Sequence, residues 1–169
     1  GAMSERKTLT IAERCAIPRH SMPHQDPKER VGNCNEVALG WDKKTAMAEA
    51  ERCLMCKNPQ CVVNCPAEID IPGFVGQIAA GNFLEAARIL RASSALPAVC
   101  GRVCPQEIQC EAHCVYHKMK KAPVAIGYLE RFASDCERQA GAAAAPGANG
   151  NSGVRVAAIG SGPASLTFA

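Results

Sequence analysis

Eight cysteines gathered into two short blocks constrain this chain more than any other feature. The first block is Cys53-x2-Cys56-x4-Cys61-x3-Cys65-Pro66; the second is Cys100-x3-Cys104-Pro105-x4-Cys110-x3-Cys114. Thiols two to four residues apart on loops reach adjacent atoms of one metal centre without strain. A cubane of four irons and four sulfides asks for soft thiolate ligands at tetrahedral corners, and such blocks supply them. Three further cysteines, Cys15, Cys34 and Cys136, stand outside the blocks.

In bacterial two-cluster proteins the cysteine before a proline ligates the other cluster. By that logic Cys65 leaves the first group and helps to hold the second. Pro66 and Pro105 remove a backbone donor and turn the chain away. Two structural zinc sites, each with four cysteines, are the alternative. They would make the chain a metal-stapled docking module without redox work. Zinc ribbons pair two C-x2-C knuckles, however, and only one such knuckle occurs here. Disulfides fit poorly with eleven cysteines, an odd number.

Composition points the same way. Aromatic residues make up 4% of the 169 residues while Ala, Gly and Pro abound. A chain poor in large apolar side chains gains folding energy from cluster ligation that its small core lacks. The net charge of +3, with both signs mixed, argues against nucleic acid. The run Lys118, Lys120, Lys121 reads as a solvated loop, with docking of an acidic partner as the sharper alternative. No signal peptide or membrane span is legible, so a cytoplasmic location is the default expectation.

The predicted organisation has four parts. Residues 1–41 form a proline-rich arm with at most one short helix, after an opening Gly1-Ala2-Met3 that resembles a tag scar. Residues 42–139 form a helical cluster domain, 140–153 an Ala/Gly linker, and 154–169 the truncated start of a nucleotide-binding domain. Within the domain, Asp42 caps a helix over about 43–53 that delivers Cys53. Asp70 caps a second helix with Pro72 in its first turn and Gly81 as its stop. Asn82 starts a third, with Phe83, Ala86, Ala87 and Leu90 on its apolar face. Pro123 opens a fourth that runs to about Gln139, with Val124, Ile126, Leu129, Phe132 and Ala133 buried. No segment before residue 150 alternates like a strand.

The pieces RCLMCKNPQCVVNCP, IDIPGF, LPAVCGRVCPQEIQCEAHC and PVAIGYLERF lie between Ile17 and Arg138. Together they resemble the N-terminal domain of the small (β) subunit of NADPH-dependent glutamate synthase. The same domain occurs in the large subunit of NADH-dependent ferredoxin:NADP oxidoreductase and in dihydropyrimidine dehydrogenase. The resemblance implies an all-α, ferredoxin-like domain around two 4Fe–4S clusters. It assigns Cys53, Cys56, Cys61 and Cys114 to one cluster and Cys65, Cys104 and Cys110 to the other. A side-chain oxygen from the following helix completes the second set in that family, and Glu130 occupies the place. Spacing alone suggests Cys100 instead, one helical turn before Cys104. Glu130 would otherwise be a surface helix residue paired with an arginine. Cys15, Cys34 and Cys136 match no ligand position and are expected to be small, buried or half-buried hydrophobes. His20, His24, His113 and His117 are not expected to ligate. Arg102, Arg131 and Trp41 are expected in ordinary packing.

The chain closes on a β-rich run, Val154 to Ile159, followed by Gly160-Ser161-Gly162-Pro163-Ala164-Ser165. Gly160 and Gly162 supply the bend and the close backbone approach of a dinucleotide-binding turn. Ser165 stands where a third Gly or Ala is usual. Sixteen residues after Gly153 are too few for a complete fold of that kind, so the chain is expected to be a fragment that does not hold FAD alone. The function expected of it is electron transfer. In an intact relative, electrons pass between NAD(P)H, FAD, the clusters and a partner subunit; a homodimer is a further possibility.

Overall fold

A computed structural model describes residues 9–141, 153 and 155–168. The tag-like start and most of the linker lie outside the described residues. Among the described residues nine α-helices follow in order: α1 (Ile11–Ala16), α2 (Pro27–Arg30), α3 (Lys43–Glu51), α4 (Gln60–Val63), α5 (Ile71–Ala80), α6 (Phe83–Ser93), α7 (Pro97–Val103), α8 (Ile126–Gln139) and α9 (Pro163–Phe168). Two 3-10 turns, Gln106–Ile108 and Val115–Met119, lie between α7 and α8. There is no strand among the described residues, only a single bridge between His24 and Ala38. The all-α expectation holds.

Helix boundaries follow from capping. The Asp42 carboxylate accepts the Thr45 N–H at 2.7 Å and starts α3. Asp70 accepts the Gly73 N–H at 3.0 Å and starts α5, with Pro72 in the first turn. Gly81 ends α5 in the left-handed region at φ 84°, where a side chain would be strained. Helix α6 begins at Phe83 as expected, but Asn82 makes no side-chain cap and instead donates to Gln77 Oε1. Helix α8 begins three residues later than Pro123 suggested. Pro123 and Ala122 are held extended by hydrogen bonds to Arg52, which accounts for the delay.

α5 packs between α3 and α6, α6 packs on α8, and α7 lies along the other side of α8. The core at their junction is mostly aliphatic. Ile71, Phe74, Val75, Ile78, Leu90, Leu129 and Ala133 are buried, and thiols of both blocks pack against it. All five residues predicted for the inner face of the last domain helix are buried, Val124 just ahead of it included. Its other side is buried as well, taking in Glu130, Arg131 and Ser134, because α7 covers it.

The arm carries two short helices rather than one. It doubles back on itself, with Gln25 N–H donating to Val37 and Leu39 N–H to Pro23, each at 2.8 Å. Arg102 of α7 binds Glu36 at 2.7 Å and Asp135 at 2.8 Å, and Arg131 donates to the Ala38 carbonyl at 2.8 Å. Trp41 donates to Ser21 and meets Tyr128 edge-on, ring centres 5.3 Å apart. These residues clamp the arm, as packing predicted. Cys15 and Cys136 are half-buried against the core, but Cys34 is exposed, contrary to expectation. It sits in the loop past α2, where nothing covers it.

The β-strand expected at 154–159 is not formed. Val154 lies outside the described residues, and Arg155–Ile159 are irregular and exposed. A strand needs a neighbour to take its backbone hydrogen bonds, and the described residues offer none. After it, Gly160 takes φ 116° and α9 follows.

Helices α7 and α8 touch through backbone. A methyl group on Gly101 would lie 2.5 Å from the Arg131 nitrogen. Replacing Gly101 by Ala should therefore cost about 1–3 kcal/mol, the usual price of overpacking, read as a lowered thermal midpoint; alanine at Gly162, which meets nothing, should cost far less.

Candidate iron–sulfur site

Two groups of side chains assemble at the ends of short elements. In the first, Cys53 follows the end of α3, Cys56 lies in the next turn, Cys61 is on α4, and Cys114 precedes the second 3-10 turn. All four line one cavity of about 130 Å³, with Pro72 and Ile126 among its apolar walls. Burial pushes the Cys53 thiol up to about 11, helped by Cys114 and Cys56. Burial likewise raises Cys61 to about 12, with Cys53, Cys114 and Cys56 adding to it. Cys56 is raised by burial and by Cys114. Each of the three is thus within electrostatic reach of Cys114, although it comes from a loop some fifty residues downstream.

The second group gathers Cys65, Cys104, Cys110 and Glu130. Burial lifts Cys104 to about 11, with Cys100, Glu130 and Cys65 adding to it. Burial also lifts Cys110 to about 12, with Glu111, Cys65 and Glu130 adding to it. Cys100 thus acts on Cys104, and its sulfur also lies 3.8 Å from the Ser94 hydroxyl. Glu130 acts on both Cys104 and Cys110, whereas Cys100 acts on Cys104, where its effect is the larger of the two.

Glu130 is not the exposed, arginine-paired residue that the alternative required. It is 6% exposed, burial alone raises its carboxyl to about 7, and its Oε1 has no hydrogen-bond partner. A buried carboxylate oxygen without a partner is costly unless something binds it. The site accommodates an iron ligand there. Backbone N–H groups serve the sulfurs in the same sense: Met55 donates to Cys53, Val62 to Cys61 and Glu111 to Cys110, each favouring thiolate. Met55 sits at φ 51°, a left-handed conformation rare for a side chain of its size, inside the Cys53–Cys56 turn. Among the described residues no three His, Cys, Asp or Glu side chains close tightly enough to chelate a single ion. All eleven cysteines are free thiols, so the disulfide alternative falls.

Residues that sequence reasoning missed hold these groups in place. Arg52 and Glu49, 2% and 0% exposed, pair at 2.5 Å. Arg52 also donates to the carbonyls of Ile17, Ala122 and Pro123, and stacks on the Tyr116 ring at 4.9 Å. Glu49 accepts the backbone N–H groups of His20 and Ala125. Glu111, between Cys110 and Cys114, binds Arg19 at 2.7 Å and accepts the Gly127 N–H at 3.3 Å. The only sequence signal was position: each of Arg52 and Glu111 adjoins a block cysteine.

Comparison with known proteins agrees with this geometry. Residues 30–142 match the family model described as dihydropyrimidine dehydrogenase domain II, 4Fe-4S cluster. The NAD-dependent dihydropyrimidine dehydrogenase subunit PreT of Escherichia coli (strain K12) is 39% identical over 132 residues, 78% of this chain and 32% of that protein. The glutamate synthase [NADPH] small chain of the same organism is 40% identical over 153 residues, 90% of this chain and 32% of that one. The glutamate synthase [NADPH] small chain of Azospirillum brasilense is 32% identical over 149 residues, 88% and 31% respectively. The chain thus spans about a third of the length of these relatives.

Two outcomes are expected. Arg52→Met should destabilise the protein by about 3–5 kcal/mol, because it strands the Glu49 charge in the interior; denaturant unfolding measures it. The thiols must also lose protons to bind metal. With Cys53 and Cys104 at about 11 and Cys61 and Cys110 at about 12, metal uptake should release protons and strengthen as pH rises from 6 to 8. Proton release on anaerobic reconstitution, followed with a pH indicator, checks the sign.

Proposed function

Since this chain belongs to the dihydropyrimidine dehydrogenase domain II family of 4Fe–4S proteins, we propose that it carries two such clusters and passes electrons between a flavin and a partner subunit. In this reading Cys53, Cys56, Cys61 and Cys114 hold one cluster. Cys65, Cys104, Cys110 and Glu130 hold the other. The single observation that carries the second set is the buried Glu130 oxygen with no partner, on a carboxylate within electrostatic reach of Cys104 and Cys110.

The clusters, when bound, supply one-electron redox chemistry. The chain's own residues position and tune. Burial keeps water from the thiolates, and backbone N–H groups of Met55, Val62 and Glu111 stabilise negative charge on sulfur. Glu130 brings a harder donor than sulfur to its group, which separates the two sites in potential. Ligands from both blocks in each group keep the sites close together, as short electron hops require. The zinc-stapled alternative finds no support in the family or in the spread of the thiols.

The glycine turn at Gly160 and Gly162 followed by α9 is, in the same proposal, the opening of an FAD-binding domain. NAD(P)H would reduce that flavin in the whole protein, as the relatives' names suggest. No helix among the described residues is long and apolar enough to cross a membrane. The cysteine-rich blocks suit a reducing compartment, and on that ground the proposed location is the cytoplasm.

Anaerobic iron and sulfide determination should give about eight of each per chain, the content of two cubanes. After dithionite reduction, Glu130→Ala should change the EPR signal of one cluster and leave the other. Two unchanged signals would remove Glu130 from the ligand set.

A further inference from the structure

The two ligand groups differ in the charge around them. The first is framed by residues 53–61 and 113–121, and neither segment contains an Asp or Glu. They carry Lys57, Lys118, Lys120 and Lys121 instead. Lys118 lines the cavity with the four cysteines, and Lys57 lies between Cys56 and Asn58, both on its wall. Lys120 follows the 3-10 turn that Cys114 begins, in a left-handed conformation at φ 54° that ends the turn outward. Lys57, Lys118 and Lys120 are exposed and form no ion pair among the described residues, whereas Lys121 is tied to the Cys15 carbonyl at 2.7 Å. Two apolar side chains stand out beside them: Met55, 46% exposed, within the Cys53–Cys56 turn, and Val63, 72% exposed, on α4.

The second group has the opposite character. Glu68 follows Cys65 and Glu107 lies between Cys104 and Cys110, while Glu111, after Cys110, is buried and paired with Arg19. Glu68 and Glu107 are exposed. A negatively charged surface is thus attracted to one end of the domain and repelled from the other.

Resting on the cluster reading above, we propose that the rim formed by Lys57, Lys118 and Lys120 around the Cys53/Cys56/Cys61/Cys114 cavity is the docking face for an acidic electron-exchange protein. Free cations around an apolar centre steer such a partner and fix its orientation, while the apolar contact excludes water. With a reduced cluster held by Cys53, Cys56, Cys61 and Cys114, one electron would pass from this cavity to a one-electron acceptor of the partner; no bond would be made or broken and no proton would be required.

The test uses the cluster-loaded protein, reduced with dithionite and freed of excess reductant. It is mixed with oxidised cytochrome b5 as an acidic one-electron acceptor, or with cytochrome c as a basic one, in a stopped-flow instrument. Expected at low salt is fast reduction of cytochrome b5 that slows as salt is added. Combining Lys57→Glu, Lys118→Glu and Lys120→Glu should slow that reduction on the order of tenfold and speed reduction of cytochrome c. The control, Lys28→Glu, Arg30→Glu and Lys44→Glu on α2 and α3, makes the same charge change elsewhere and should do far less. Equal rates for both variants, or an unchanged rate in the first, would overturn the docking face while leaving the clusters in place. A visible absorbance that dithionite does not bleach would overturn the electron-transfer reading and the docking face together.

Discussion

A guanidinium and a carboxylate sealed side by side hold this domain in register. Arg52 and Glu49 lose nearly all contact with water, and a pair buried so deeply is justified only when every remaining hydrogen-bonding position is used. Here they are. Between them the two side chains reach the arm at Ile17 and His20, and the loop at Ala122, Pro123 and Ala125. Arg52 directly precedes Cys53, and the loop it grips directly precedes α8, which carries Glu130. One charge pair therefore fixes where the first thiol of one group emerges and where the helix bearing the oxygen of the other begins. Glu111 repeats the device on a smaller scale, bracing the start of α8 from between Cys110 and Cys114.

Much of this architecture is legible in the sequence because it is specified locally. Asp42, Asp70 and Gly81 mark helix ends by short-range hydrogen bonds and backbone geometry, and the structure places the ends there. The apolar spacing in α8 likewise names its buried face. What escaped was long-range. The second buried face of α8 exists only because α7 lies against it, and α7 itself, seven residues long with proline at its start and glycine within, gives little periodic signal. The role of Arg52 depends on carbonyls some seventy residues away. A charged residue beside a cysteine says nothing, on its own, about whether it will be buried.

The grouping of cysteines was legible to different depths. Spacing alone separates two blocks and argues for metal, but it leaves Cys100 and Glu130 as rivals. In the proposed ligand set the carboxylate is preferred because it is enclosed and left without a partner, while Cys100 finds a hydroxyl neighbour in Ser94. The final segment shows the reverse lesson. Val154 to Ile159 has the composition of a strand, yet a strand is a property of at least two segments, and its pairing partners are not among the described residues.

The absence of a side chain at Gly101 sets a dimension as well as a contact. Where most helix pairs are spaced by interlocking side chains, α7 and α8 meet here main chain to main chain, at the residue between Cys100 and Arg102 and the one after Glu130. The gap from Cys104 to Glu130 is thereby gauged by peptide units, which do not vary with mutation. Substitutions can accumulate over the outer surfaces of both helices while the bore of the cage between them keeps its calibre.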